Sequence, residues 1–177
     1  MKHLNQFITE YIIKKKLDKP IDSECNYKYF PKTKSELIHQ IKQLIEQDIY
    51  DFNCIDTSEI TDMSKLFYDS KFKDINIDVS EWNVSNVKNM SHMFYDCMKF
   101  DCDLSNWNVS KVENMSSMFY ECKNFNCDLS KWDVRNVFDI NDMFYNCIKF
   151  NCDLSSWDIS KVYRRVGTFY NCTSLKK

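Results

Sequence analysis

The sequence predicts an α/β solenoid, with a short strand plus a short helix in each 25-residue repeat and an α-helical cap at the N-terminus. Three observations predict it. Trp82, Trp107, Trp132 and Trp157 stand 25 residues apart, and other columns keep the same step. Within each unit a stretch such as Phe100, Cys102, Leu104 alternates with Asp101 and Asp103, which is strand spacing. A second stretch, Met115, Met118, Phe119 and Cys122, falls at i, i+3, i+4 and i+7, one face of a two-turn helix.

The period is carried by Val87, Val112, Val137 and Val162, by Phe94, Phe119, Phe144 and Phe169, and by Cys97, Cys122, Cys147 and Cys172. Phe100, Phe125 and Phe150 add a further column, as do Cys102, Cys127 and Cys152. A degenerate copy precedes them, with Ile55 at the Trp position and Ile60 at the Val position, and it is two residues longer. About five units therefore occupy 51–177, and neighbours that bury one another's apolar faces are the expected source of stability. The Trp, Phe and Cys columns are assigned to the core. In the last unit Arg165 and Thr168 replace apolar residues, the substitution expected where an array ends.

Residues 1–50 lack the repeat and are expected to form a two-helix cap. Leu4, Phe7, Ile8, Tyr11 and Ile12 make one helical stripe before Pro20. The second helix is expected to start at Thr33, with Glu36 three residues on as a capping box and Leu37, Ile38, Ile41, Leu44 and Ile45 as its apolar face. The alternative reading of 1–50 is a docking module for a partner or membrane surface.

Composition narrows the function classes. The 177 residues are 44% hydrophobic and 15% aromatic, too apolar for a disordered chain. Lys and Arg number 24 against 26 Asp and Glu, so no basic surface for nucleic acid is expected. No apolar run approaches the roughly 20 residues of a membrane helix, and no secretory signal is read at the start. The expected location is the cytoplasm or a virion. The single glycine, Gly167, excludes Gly-rich phosphate loops and leaves turns to Asn, Asp and Ser.

Chemical readings find little. The nine cysteines include no Cys-x-x-Cys pair, and Ser70 replaces one of a ladder, so buried thiols are expected rather than a zinc site or disulfides. Asp78, Asp103, Asp128 and Asp153 form an acidic column. Calcium is one reading of it, and bonding to the backbone two residues on, at Ser80, Ser105, Ser130 and Ser155, is the other. His3, His39 and His92 do not recur in register, and nothing nominates a catalytic residue or a cofactor. Recognition is expected of positions that vary between copies. Lys88, Glu113, Phe138 and Tyr163 form a column that turns aromatic, and Met98, Lys123, Ile148 and Thr173 form another with two apolar members. Phe138, Tyr163, Met98 and Ile148 are the candidate partner-binding residues. The Tyr68, Tyr95, Tyr120, Tyr145 and Tyr170 column is assigned to structural stacking.

Residues 115–134, with Met-Phe-x-x-Cys and Asp-Leu-Ser-x-Trp elements of the kind at Met118–Cys122 and Asp128–Trp132, closely resemble the repeat of BspA-like leucine-rich-repeat surface proteins, in the variant shared with mycoplasma-type surface lipoproteins. The resemblance covers about 52–175, and Tyr29–Leu37 resembles the helical segment before such repeats. It implies a right-handed, leucine-rich-repeat-like solenoid for protein binding or adhesion, with no catalytic residue. Similar repeats are encoded by phages and large DNA viruses. The sequence thus predicts a non-enzymatic scaffold for a protein partner. A structural component of a virus particle that packs against a shell protein or itself is the alternative, and a ligand- or metal-dependent enzyme is a remote third.

Overall fold

The computed structural model describes residues 28–68 and 70–176. The first expected helix, Leu4 to Ile12, lies outside the described residues. The second is present as α1 (Lys34–Ile45): the Thr33 side chain accepts from the Glu36 N–H, and Glu36 Oε2 accepts from the Lys32 N–H at 2.6 Å. Leu37, Ile41 and Leu44 are its buried face. Lys34 Nζ reaches Asp62 and Ser64, tying the helix to the first repeat.

Beyond α1 the chain winds in coils, which we number by sequence: coil 1 is 50–75, coil 2 is 76–100, coil 3 is 101–125, coil 4 is 126–150 and coil 5 is 151–175. Isolated parallel bridges run from Asp62 to Asn89, Asn114, Asp139 and Arg164, each step landing one unit further along the chain. Phe67, Phe94, Phe119, Phe144 and Phe169 stack in a column at 5.5–5.6 Å, and all but Phe169 are fully buried. Each indole donates to a carbonyl of the preceding coil, as Trp132 Nε1 does to Leu104 at 3.0 Å and Trp157 Nε1 to Leu129 at 2.9 Å.

This is not an α/β solenoid with a strand and a helix in each unit. The described residues contain the single α-helix α1, one 3₁₀ turn at Ser70–Phe72, and isolated bridges in place of a sheet. Spacing is the physical reason. Equivalent rings of successive coils are nearly parallel, so their separation measures the local repeat distance. It is 4.5 Å for Tyr95–Tyr120, 5.6 Å for Phe94–Phe119 and 6.5 Å for Trp107–Trp132. Packed helices need about 8–10 Å between axes, so coils this close have no room for one helix each. Strands need about 4.8 Å, and the coils have opened past that on the Trp side.

The backbone adapts to both limits. Along 115–122 the N–H groups alternate in use. Met115, Ser117, Phe119 and Glu121 donate to carbonyls of coil 4, while Met118, Tyr120 and Cys122 donate back three residues. Ser117 and Glu121 hold φ at 53° and 61°, which interrupts any helix. Successive three-residue turns reproduce the i, i+3, i+4, i+7 burial pattern without a helix. In the expected strand the alternation of burial is real: Phe100, Cys102 and Leu104 are buried, Asp101 and Asp103 exposed. Between coils 2 and 5, however, side chains replace the ladder there. Asn126 N–H donates to Asp101 Oδ1, Asn151 N–H to Asn126 Oδ1, and Leu104 N–H to Cys127 Sγ at 3.1 Å.

Turns without glycine are made in two ways. Asp103, Asn108 and Asn114 each accept the backbone N–H two residues on, from Ser105, Ser110 and Ser116, and the other coils repeat this. The remaining bends use left-handed residues in two columns: Lys65, His92, Ser117, Asp142 and Gly167, and Asp96, Glu121, Asn146 and Asn171. Such a conformation costs a non-glycine residue on the order of 1 kcal/mol.

The thiols are structural. Cys122, Cys147 and Cys172 each donate to the Phe carbonyl of the coil before, at 2.9–3.0 Å. Burial pushes the Cys97 and Cys127 thiols up to about 12, and Cys122 well above its ordinary value. A thiol that the fold keeps protonated contributes its stability in full below the unfolded pKa of about 8.5, and loses it as pH rises toward the folded value. Stability should fall as pH rises from about 9 toward 12, and Cys122 and Cys147 should resist Ellman's reagent at pH 8 until the chain is unfolded; rapid native labelling of both would contradict this packing. Lys65→Gly should raise stability by up to about 1 kcal/mol in urea unfolding. Gly167→Ala should lower it, because a Cβ there would lie 2.1 Å from Asp142 Oδ1 at φ +69°.

Candidate interaction surface

The coils leave outward columns whose side chains vary. Phe138 and Tyr163 are brought together, their rings stacked at 5.6 Å and 8°. The bridge beside them sets this: Tyr163 and Arg164 N–H both donate to the Phe138 carbonyl. Tyr163 is 73% exposed and Phe138 half-buried. Met98 and Ile148 do not join them. They stand two coils apart in a separate column, with Lys123 between, Met98 half-buried and Ile148 37% exposed.

Of the assigned core residues, Trp82, Trp107, Trp132, Trp157, Phe94, Phe119, Phe144, Cys97, Cys122, Cys147 and Cys172 are buried. Phe169 departs from that assignment. It is 41% exposed, because among the described residues no coil lies beyond it. Of the two polar replacements expected to blunt the end, Arg165 is exposed, while Thr168 is buried with its hydroxyl tied to the Ile140 and Arg165 carbonyls. Beside Phe169, Val166 is 79% and Tyr170 59% exposed. With Tyr163 and Ile159 they make coil 5 the part of the array richest in exposed large apolar side chains. Sequence reasoning missed Val166, Phe169 and Tyr170 as surface. One signal was present: Val166 occupies the column of Ser91, Ser116 and Asn141, an apolar residue at a polar, outward position.

The Tyr68 to Tyr170 column runs along the surface with successive rings 4.5–4.8 Å apart, face to face from Tyr95 to Tyr170 and tilted by 45° between Tyr68 and Tyr95. Burial, then the neighbouring Tyr and acidic groups, raise the Tyr95 and Tyr120 hydroxyls above their ordinary value. His92 stacks on Tyr95 at 5.7 Å; burial and Lys65 lower its pKa.

The acidic column is held by local bonds. Backbone N–H and hydroxyl of Ser105, Ser130 and Ser155 hold Asp103, Asp128 and Asp153 below the usual carboxylate value. At Asp78 burial works the other way, yet Ser80 still lowers it. Cys127 and Cys152 thiols donate to Asp103 and Asp128 at 3.5 Å. The Oδ1 atoms of the column are thus committed within the protein, and no group of three or more His, Cys, Asp or Glu among the described residues could hold a metal ion. No helix among them is long and apolar enough to cross a membrane.

No curated protein matches the chain, and no solved structure does. The mycoplasma-type repeat does find its family, with residues 33–136 matched once and 103–177 matched again. The finer assignment to BspA-like leucine-rich repeats is not supported by that match. By coverage that takes in α1 and every coil, the chain belongs to the family described as Mycoplasma protein of unknown function, DUF285.

Proposed function

We propose that this chain is a non-enzymatic interaction module that binds a protein partner through coil 5 and the adjoining Phe138–Tyr163 pair. One observation carries the reading: coils 2 to 4 together expose one large apolar side chain, Ile148, whereas coil 5 exposes Ile159, Tyr163, Val166, Phe169 and Tyr170. Interfaces concentrate their binding energy in a few such aromatic anchors, and a continuous exposed apolar surface marks a contact site in a folded chain. The likeness of the units to BspA-like surface proteins points the same way, toward protein binding or adhesion. The dense aromatic core beneath gives the surface a rigid base, so little conformational freedom is lost when a partner docks.

A structural role, in which the array packs against copies of itself or a shell protein, is favoured by one feature, the uncovered end of the stack. The two readings separate by experiment. Under the module reading the purified chain stays monomeric in light scattering at high concentration. A tagged chain should then retain a defined protein from its source cells, and Phe138→Ser with Tyr163→Ser should weaken capture by at least about tenfold, the loss of one to two anchors. Undiminished capture by the double variant would place the contact elsewhere, and concentration-dependent growth in mass would favour the structural role.

A further inference from the structure

Along one stretch of each coil the backbone ladder runs forward to the next, while beside it Lys88, Glu113, Phe138 and Tyr163 N–H donate back to the coil before. Met90, His92, Phe94 and Asp96 of coil 2 donate N–H to coil 3, and Ile140, Asp142, Phe144 and Asn146 of coil 4 donate to Arg164, Val166, Thr168 and Tyr170. The equivalent donors of coil 5 are the N–H groups of Arg165, Gly167, Phe169 and Asn171, and nothing among the described residues accepts from them. Coil 5 therefore ends in four backbone donors at alternate residues, beside the exposed Phe169 and Tyr170 rings. Such an edge recruits backbone acceptors, and a row of N–H dipoles favours negative charge.

Side chains fix what kind of cover fits. Arg165 stands in the column of Met90, Met115 and Ile140, all of them buried. A further coil of the same type would lay an apolar side chain on the guanidinium and bury an unpaired charge. Among the described residues no ion pair engages Arg165. Coil 5 is also the basic one, with Lys161, Arg164 and Arg165 against Asp153 and Asp158, whereas coils 2, 3 and 4 each carry more acidic than basic residues. A second copy does not supply the cover. Its coil 1 carries α1 and residue Tyr29, bridged to Ile55, on the face that would have to stack. Two coil 5 ends face to face would oppose donors to donors.

We infer that the coil 5 edge takes an acidic segment of a partner polypeptide, which offers backbone carbonyls to the N–H groups of Arg165, Gly167, Phe169 and Asn171, a carboxylate to Arg165, and an apolar side chain to Phe169. The inference rests on the interaction-module reading and names the chemistry of the partner at that site.

Two synthetic 25-residue peptides with the sequence 126–150 serve as probes, one unchanged and one with Ile140→Glu, the residue that would face Arg165. Amide exchange of the four edge N–H groups, followed by NMR on the full chain, reports where each binds. The Glu peptide should slow all four and bind at least about tenfold tighter than the unchanged one. The Arg165→Glu variant should reverse the preference toward a peptide with Ile140→Lys. Because a free peptide must be ordered on binding, residues 128–150 of the Glu and Ile sequences are also appended after Lys177, which places residue 140 one repeat beyond Arg165, and the Glu form should unfold at the higher temperature. Equal behaviour of the Glu and Ile sequences in both formats, or binding that leaves the four amides exchanging freely, overturns the edge. Partner capture that still depends on Phe138 and Tyr163 would then keep the module without this edge.

Discussion

The repeat distance between coils governs the architecture. Parallel rings of successive units sit 4.5 Å apart at the Tyr column and 6.5 Å apart at the Trp column, and every other feature has to fit between those limits. A helix in each unit is too thick for this spacing, and a continuous sheet is too narrow for its wide side. The chain answers with main-chain bonds where coils are close and side-chain bonds where they part. Trp indoles reach back to carbonyls, Asn and Asp oxygens collect N–H groups, and cysteine sulfur serves as acceptor and donor at once. Invariant polar residues in the expected strand are therefore as structural as the aromatic ones.

Turn chemistry follows from the same constraint. Coils this short must bend several times, and the sequence offers a single glycine. Asx turns satisfy the backbone at the corners, while left-handed Ser117, Glu121, Asp142 and Asn146 redirect the remaining N–H groups toward the next coil. The conformational cost of those residues is met by bonds that only a neighbour can supply. A lone unit would carry the strain without the compensation, which makes stacking a condition of the turn and not merely its consequence.

Periodicity alone made the repeat, its core columns and helix α1 legible. Trp82 through Trp157 and the inward Phe residues are buried as their invariance implies, and Thr33 with Glu36 marks a real helix start. Secondary structure within the unit was not legible, for a physical reason. Three-residue turns bury Met115, Met118, Phe119 and Cys122 at the same spacing a helix would, and an extended segment alternates burial whether or not its backbone pairs. Pattern reports which side chains face the core, and only the spacing between coils decides the hydrogen bonding. At the candidate surface, the variable column found Phe138 and Tyr163 because solvent-facing positions drift. Phe169 and Tyr170 escaped because they match their columns perfectly, and are exposed only by lying at the last described coil.

The two ends of the array differ for a reason built into its hydrogen bonds. Since the donors along 90–96 and its equivalents point to the next coil, that stretch offers carbonyls at one end face and N–H groups at the other. A carbonyl face tolerates a helix laid across it, because oxygen lone pairs can be served by water, and the helix is held there by Lys34 on the Asp62 and Ser64 side chains. That is where α1 sits. A donor face asks for acceptors, and α1 would have had few to give, its own carbonyls being used within the helix. Direction along this stretch of backbone thus suits the helical cap to the first coil and leaves unpaired donors on the last described one.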